Sequence, residues 1–339
     1  MLELANASPW AAGLFPGWDA QRREVVVVAV KVRFRFGADG TLEPDAPPPL
    51  VPADRHHGEP ASSSLAQAAE GVPFKQGAEC LIHGTVHPAA PGQRSRGVRV
   101  ALEAPGGGWC KQLRVTGRRR WQRTALGLVP GEAEPLEPTR LRYEYAFGGV
   151  DVRCRALEVR NPVGMGFAAS RRGAAGAELP RIEYQDEPVS RWGQRPRPAG
   201  LGPVAVDWQP RRGLMAACDD EAAAAGLCPY REAVPADLFN AAPADQRLPG
   251  PFAGGERLSL EGIGCWGGAA VLLSLPAFAP RLRLTSGSGG PRDFQAACDT
   301  AQVDADAGTL DLVARACLPW NRLSTETGWV LVRPPGAVS

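Results

Sequence analysis

Apolar and polar residues alternate most clearly over Glu24–Phe36. An unbroken apolar run at 25–30 passes into strict alternation, with Val30, Val32, Phe34 and Phe36 on one face and Lys31, Arg33 and Arg35 on the other. β-branched and aromatic residues at a period of two define a strand. Segments 98–103 and 111–116 alternate in the same way, and Gly106, Gly107 and Gly108 between them supply the positive φ angles of a hairpin loop, so the two are expected to pair. Segment 140–147 also reads as a strand, with Leu141, Tyr143, Tyr145 and Phe147 opposite Arg140, Arg142 and Glu144, and with Gly148 and Gly149 ending it. Further strands are expected at 257–260, 269–275, 281–285, 309–316 and 329–333, most of them bounded by Gly or Pro.

Helical patterns are few: 62–70 closed by Gly71, and 219–225 with acids in its first turn and Gly226 after its last. Between 160 and 251 the chain is dense in Gly, Pro and Arg with little periodicity. A stretch of that length is normally functional or disordered, and its Phe167, Trp192, Trp208 and Phe239 argue for order. The fold class expected is therefore mainly β, an antiparallel sandwich or barrel-like sheets with long ordered loops and a few short helices. Without an internal repeat or a clean linker, a single domain is expected over 1–339, sheet-forming at 20–150 and 255–335 and loop-rich at 160–251.

Composition narrows the function classes. A formal net charge of +2 with 22% charged residues gives no overall field to gather nucleic acid or an anionic membrane. The longest apolar runs fall far short of the roughly 20 residues that span a bilayer, and the N-terminus lacks a basic start followed by an apolar stretch. A cytoplasmic protein without a membrane span is the expectation. The 8 cysteines are scattered singly with no Cys-x-x-Cys pair, which favours buried free thiols over a disulfide framework or a zinc ribbon. The 40 glycines and 33 prolines forecast many turns and loops.

Several segments imitate catalytic or binding motifs. His83 and His87 have the spacing of a helical metal pair, but their surroundings are strand-like, where they would stand about 13 Å apart. Residues 262–267 match Gly-x-Gly-x-x-Gly, yet a short apolar run stopped by Pro276 follows instead of a phosphate-facing helix, so a β turn is expected. Residues 304–308 open like a calcium loop, but the glycine comes one place early and Arg315 stands at the twelfth position, which leaves a hairpin turn. No metal and no cofactor is therefore expected. The cluster Arg118-Arg119-Arg120-Trp121-Gln122-Arg123 suits phosphates and a stacked base, an acidic partner, or internal carboxylates. Against the chain's near-neutral charge, nucleic acid is not the expected partner.

A series of short motifs runs in order through the middle of the chain. It includes Pro73-Phe74-Lys75, Tyr143-Glu144-Tyr145-Ala146-Phe147-Gly148-Gly149, Asn161-Pro162-Val163-Gly164-Met165-Gly166-Phe167, Trp208-Gln209-Pro210-Arg211 and Phe239-Asn240-Ala241-Ala242-Pro243-Ala244-Asp245-Gln246. In this series, from about Asn6 to about Leu312, the chain resembles the bacterial domain-of-unknown-function family encoded beside type VI secretion spike and effector genes. Met165 and Tyr145 stand where that pattern usually has Arg, and Cys218 where it has an aromatic. The resemblance implies a non-catalytic adaptor or chaperone that binds a secreted effector and loads it onto the spike or its tip. The surface expected to meet that protein partner is Arg142 and Glu144 together with Trp208, Arg211, Asn240, Asp245 and Gln246. Asn240 and Asp245, and Asn161 too, could instead hydrogen-bond their own loops, and Arg142 could pair with Glu144 along a strand. The alternative function is an enzyme of the same locus, a hydrolase or modifier using these polar residues.

Overall fold

The computed structural model describes residues 2–19, 21–125, 127–214, 235–264, 266, 269–286, 289–320 and 327–333. It is mainly β, and the helical elements among these residues are single turns such as Arg171–Ala174 and Arg211–Leu214. Three large sheets form one core. The first is seven-stranded and runs Arg247–Leu248, Ala78–His83, Ala297–Asp304, Thr309–Pro319, Glu24–Phe36 and Ala11–Trp18, with Leu42–Asp45 added beside Glu24–Phe36. The second is five-stranded, in the order Ile182–Tyr184, Gly107–Thr116, Ser95–Ala104, Arg257–Glu261 and Val271–Ser274. The third is four-stranded: Leu2–Asn6, Gly328–Val332, Arg281–Ser286 and Gly289–Gln295. Most pairs are antiparallel, but Ala78–His83 runs parallel to Ala297–Asp304, and Leu2–Asn6 parallel to Gly328–Val332.

The strand Glu24–Phe36 has the bounds its pattern predicts and pairs without a break with Thr309–Pro319, from Arg35↔Thr309 to Val25↔Pro319. Val26, Val28, Val30 and Val32 enter the common core beside Ile82, Leu102, Leu258, Leu282 and Val330, which come from all three sheets. The uninterrupted apolar half is buried on both faces, since Val27 and Ala29 are as inaccessible as Val28 and Val30. The pairing of Ser95–Ala104 with Gly107–Thr116 also holds, and Gly107 takes φ +132° at the turn. The turn after Asp304 is a hairpin turn with Gly308 at φ +63°. Gly262 and Gly264, at φ +75° and +76°, lie in the connection between two antiparallel strands, while Cys265 and Gly267 fall outside the described residues.

Two local expectations are corrected. Segment 140–147 is not a continuous strand: Thr139–Arg140 forms a two-residue strand, Tyr143–Tyr145 a 3-10 turn, and Phe147–Gly148 another short strand. One tight turn there packs Tyr143 on the Trp208 ring, 5.7 Å between centroids, while Glu144 accepts from the Ser64 amide and hydroxyl at 2.9 and 2.6 Å. Segment 62–70 is not helical either. Leu65–Gln67 pairs with Arg55–His56, and the Ser63 and Ser64 hydroxyls bond to the Glu59 carbonyl and the Glu144 carboxylate in place of helix formation. The expected helix at 219–225 lies outside the described residues.

The outer face of the seven-stranded sheet departs from simple amphipathicity. Lys31 points there yet is buried, because 46–76 folds over the sheet, and its ammonium pairs with Glu70 at 2.7 Å and donates to the Pro49 carbonyl at 3.1 Å. Nearby, Lys75 pairs with Glu79, and Arg315 pairs with Asp299 and donates to the Glu70 carbonyl at 2.7 Å. A layer of matched charges thus stands where an apolar seam would be usual. Among the described cysteines all five are free: Cys80 and Cys298 are buried as expected, whereas Cys110, Cys154 and Cys317 are exposed.

Candidate functional site

A cavity of about 590 Å³ opens on that outer face, beyond the end of the charged layer. Ala78–His83 contributes His83, Glu24–Phe36 contributes Arg33, the hairpin turn contributes Asp304 and Asp306, and the covering loops bring His57, Arg140 and Arg142. Its carboxylates are already engaged. Asp311 holds Arg33 through two bonds of 2.6 and 2.7 Å. Asp306 accepts from the Thr85 amide and hydroxyl at 2.9 and 2.6 Å, and Asp304 from the amides of Asp306 and Ala307, both at 3.0 Å. Arg140 and Arg142 differ, since neither guanidinium makes a hydrogen bond or an ion pair among the described residues.

His57 and His83 meet edge to face, 6.3 Å between ring centroids. Burial, then the positive charge of Arg142, pushes the His57 pKa down to about 4, and burial also lowers that of His83 against the opposing pull of Asp304. Both imidazoles are thus neutral at physiological pH and offer neutral donors or acceptors beside two unpaired cations. Among the described residues there is no group of three metal-ligating side chains here or elsewhere.

The other residues expected at a partner surface lie apart from this cavity. Trp208, Asn240 and Gln246 are 2%, 0% and 0% exposed, so the expectation that their side chains form surface is corrected. Asn240 accepts from the Gln76 amide at 3.0 Å and donates to Glu79 at 3.3 Å, bracing the loop onto the large sheet. Gln246 donates to the carbonyls of Cys80 and Leu201, both at 2.9 Å, and accepts from Lys111 at 2.5 Å. Arg211 is buried as well, its guanidinium closing on the carbonyls of Val204 and Leu238 at 2.5 and 2.7 Å. Glu144 is held by Ser64 rather than by Arg142.

Asp245 alone of this second group keeps an accessible carboxylate. It pairs with Lys111 at 2.8 Å and accepts from the Tyr184 hydroxyl at 3.0 Å, at the edge of a smaller cavity of about 430 Å³ lined by Tyr143, Tyr184, Arg197 and Leu214. Burial pushes the Lys111 pKa down to about 8, and Asp245 limits the fall. Lys111 lies on the hairpin strand Gly107–Thr116 and gave no local sign of its role; only the fold brings it to Asp245 and Gln246.

Two of the ordered motifs meet as a clamp. Phe147 and Gly148 pair in parallel with Met165 and Gly166, the Gly149 amide donates to the Asn161 carbonyl at 2.8 Å, and the Asn161 side-chain amide donates to the carbonyls of Tyr143 and Phe147 at 2.8 and 3.1 Å. The glycines are steric requirements, since a Cβ on Gly148 would stand 2.2 Å from the Asn161 carbonyl oxygen. Tyr145, where the resemblance led to an expected Arg, carries the Arg181 guanidinium over its ring at 5.1 Å. Cys218 lies outside the described residues.

In the basic cluster Arg119 is buried, while Arg118, Arg120 and Arg123 stay exposed. Arg119 pairs with buried Glu183 at 2.8 Å, Arg120 with Glu178 at 2.8 Å and Arg118 with Glu137 at 3.9 Å, while Trp121 joins a small core with Phe147 and Leu179. Of the partners open to it, internal carboxylates take three of its four arginines.

Fold and sites together define an open-sheet β protein whose long central loops are braced by buried polar side chains, with a cavity on one face that holds two unpaired arginines. Residues 21–315 match the model of a family described as an uncharacterized protein conserved in bacteria (DUF2169), and the chain belongs to that family. No curated protein and no solved structure matches the chain. No helix among the described residues is long and apolar enough to cross a membrane.

Proposed function

We propose that this chain is a non-catalytic adaptor or chaperone that binds a type VI secretion effector in the cytoplasm and loads it onto the spike or its tip. The observation that carries this reading is the cavity of Arg140 and Arg142, two guanidiniums without a hydrogen bond or ion pair among the described residues, beside carboxylates that each accept hydrogen bonds from the chain. Two unpaired guanidiniums can take up an acidic group from a partner, and charged complementarity of this kind sets specificity and encounter rate between proteins. The resemblance in the ordered motifs supplies the secretion context.

A hydrolase or modifier of the same locus would need its polar residues to converge. Arg142 instead lines the larger cavity, Asp245 the smaller, and Asn240 and Gln246 are enclosed as loop braces. That dispersal favours the adaptor. Co-expression with the effector and spike genes of its own locus, followed by size-exclusion chromatography, tests the reading. Stable co-elution with one of these proteins is expected, weakened about tenfold or more in affinity by Arg140→Glu with Arg142→Glu. Separate elution of every locus protein from the wild-type chain would overturn it.

A further inference from the structure

Of the seven large hydrophobic side chains exposed among the described residues, four fall in one short segment: Val150, Val152, Leu157 and Val159, at 53%, 81%, 49% and 52% exposure. Single exposed hydrophobics are ordinary, but a cluster of them marks an interaction site. Val150–Asp151 and Ala156–Leu157 pair as a small antiparallel hairpin, with Val150 opposite Leu157, and the turn 152–155 is exposed throughout.

The charges on this hairpin are one-sided. Asp151 turns inward and accepts from the amides of Arg153, Cys154 and Ala169 at 3.1, 3.1 and 2.9 Å. Glu158 is taken up by Arg160 through bonds of 2.7 and 2.8 Å. Arg153 and Arg155 make no side-chain hydrogen bond or ion pair among the described residues, and Arg155 holds the turn at φ +49°. What faces outward is therefore apolar and cationic, with no free carboxylate.

The clamp described above holds the feet of this hairpin. Gly148 and Gly149 lead into it, Asn161 receives it, and the Glu158 amide donates back to the Gly149 carbonyl at 3.0 Å. A rigid base lowers the ordering cost that a mobile loop would meet on binding.

We propose that hairpin 150–159 is a docking surface for a protein partner whose matching face is apolar and acidic. A second copy of the chain is a poor occupant, because a two-fold contact through the hairpin would set Arg153 and Arg155 against their own equivalents. An anionic bilayer suits it less well, since the hairpin has no Trp or Tyr to seat at the interface. The proposal rests on the adaptor reading and assigns it a second surface, apart from the Arg140 and Arg142 cavity.

The test places the photo-crosslinking residue p-benzoylphenylalanine at Leu157, at Arg142 and at exposed Glu43 in the full chain, in cells that express its own locus, and identifies crosslinked peptides by mass spectrometry. The expected result is a crosslink from Leu157, absent from Glu43, to an acidic and apolar segment of a locus protein. In purified proteins, Arg153→Glu with Arg155→Glu, and separately Val152→Ser with Leu157→Ser, should each weaken that complex about tenfold. A crosslink from Arg142 with none from Leu157 overturns the hairpin proposal and leaves the adaptor standing. Crosslinks from neither position overturn both. Capture of a second copy, or binding to phosphatidylglycerol vesicles that the Ser variants abolish, overturns the hairpin as a site for that partner.

Discussion

Lys31 and Glu70 form an ion pair of 2.7 Å in which each side chain is only 2% exposed. The pair ties the strand Glu24–Phe36 of the large sheet to the segment that crosses its outer face. Glu70 also accepts from the Val51 amide at 2.7 Å and the Gln302 side chain at 3.1 Å, so one carboxylate organises the start of the covering loop, its end and a strand beneath it.

Removing one member leaves a buried charge unmatched. Lys31→Met alone is expected to lower unfolding free energy by about 3–5 kcal/mol, whereas Lys31→Met with Glu70→Leu recovers only part of the loss, because apolar groups replace a desolvated pair but the Val51 amide and Gln302 lose their acceptor. Equilibrium unfolding in urea measures both. A single variant within about 1 kcal/mol of wild type would show that the pair does not hold the covering loop.

Asn161 should matter to the hairpin more than to the sheets. Asn161→Ala removes donors to the Tyr143 and Phe147 carbonyls, at a cost of about 2–4 kcal/mol if both acceptors stay dry. Hydrogen exchange should quicken over 147–167 while Glu24–Phe36 and Thr309–Pro319 keep their protection. Uniform acceleration would contradict the clamp as a local device.

The cavity predicts a pH signature. His57 binds its proton less readily in the fold, with a pKa of about 4, than in the unfolded chain, near 6.5. The unfolded state then carries more protons between those values, so the His57 contribution to stability is complete above pH 6.5 and is lost as pH falls toward 4. Imidazole NMR titration should find the low midpoint, and Arg142→Ala should raise it by removing a nearby positive charge. A midpoint near 6.5 in the wild-type chain would contradict the described environment.

Long, regular patterns were the legible part of the sequence. The alternation in Glu24–Phe36 set the bounds of that strand, and 98–103 with 111–116 announced their own hairpin, because both depend on near neighbours. Segments 62–70 and 140–147 were misread for a shared reason. Ser64 and Glu144 bond to each other across 80 positions, and that contact determines the local conformation of both. Trp208, Asn240 and Gln246 could be recognised as special by their motif, but Asn240 and Gln246 are buried by loops closing over Ala78–His83 and Trp208 by packing with Tyr143. His57, Arg140 and Arg142 become one cavity only after 55–67 and 139–142 are laid beside the hairpin turn at 304–308.

The most direct test of the adaptor is secretion itself. In a strain lacking this gene, the effector of the same locus should disappear from the culture medium while the spike protein is still released, and the wild-type gene should restore the effector where Arg140→Glu with Arg142→Glu does not. Undiminished effector secretion without the gene would contradict the account.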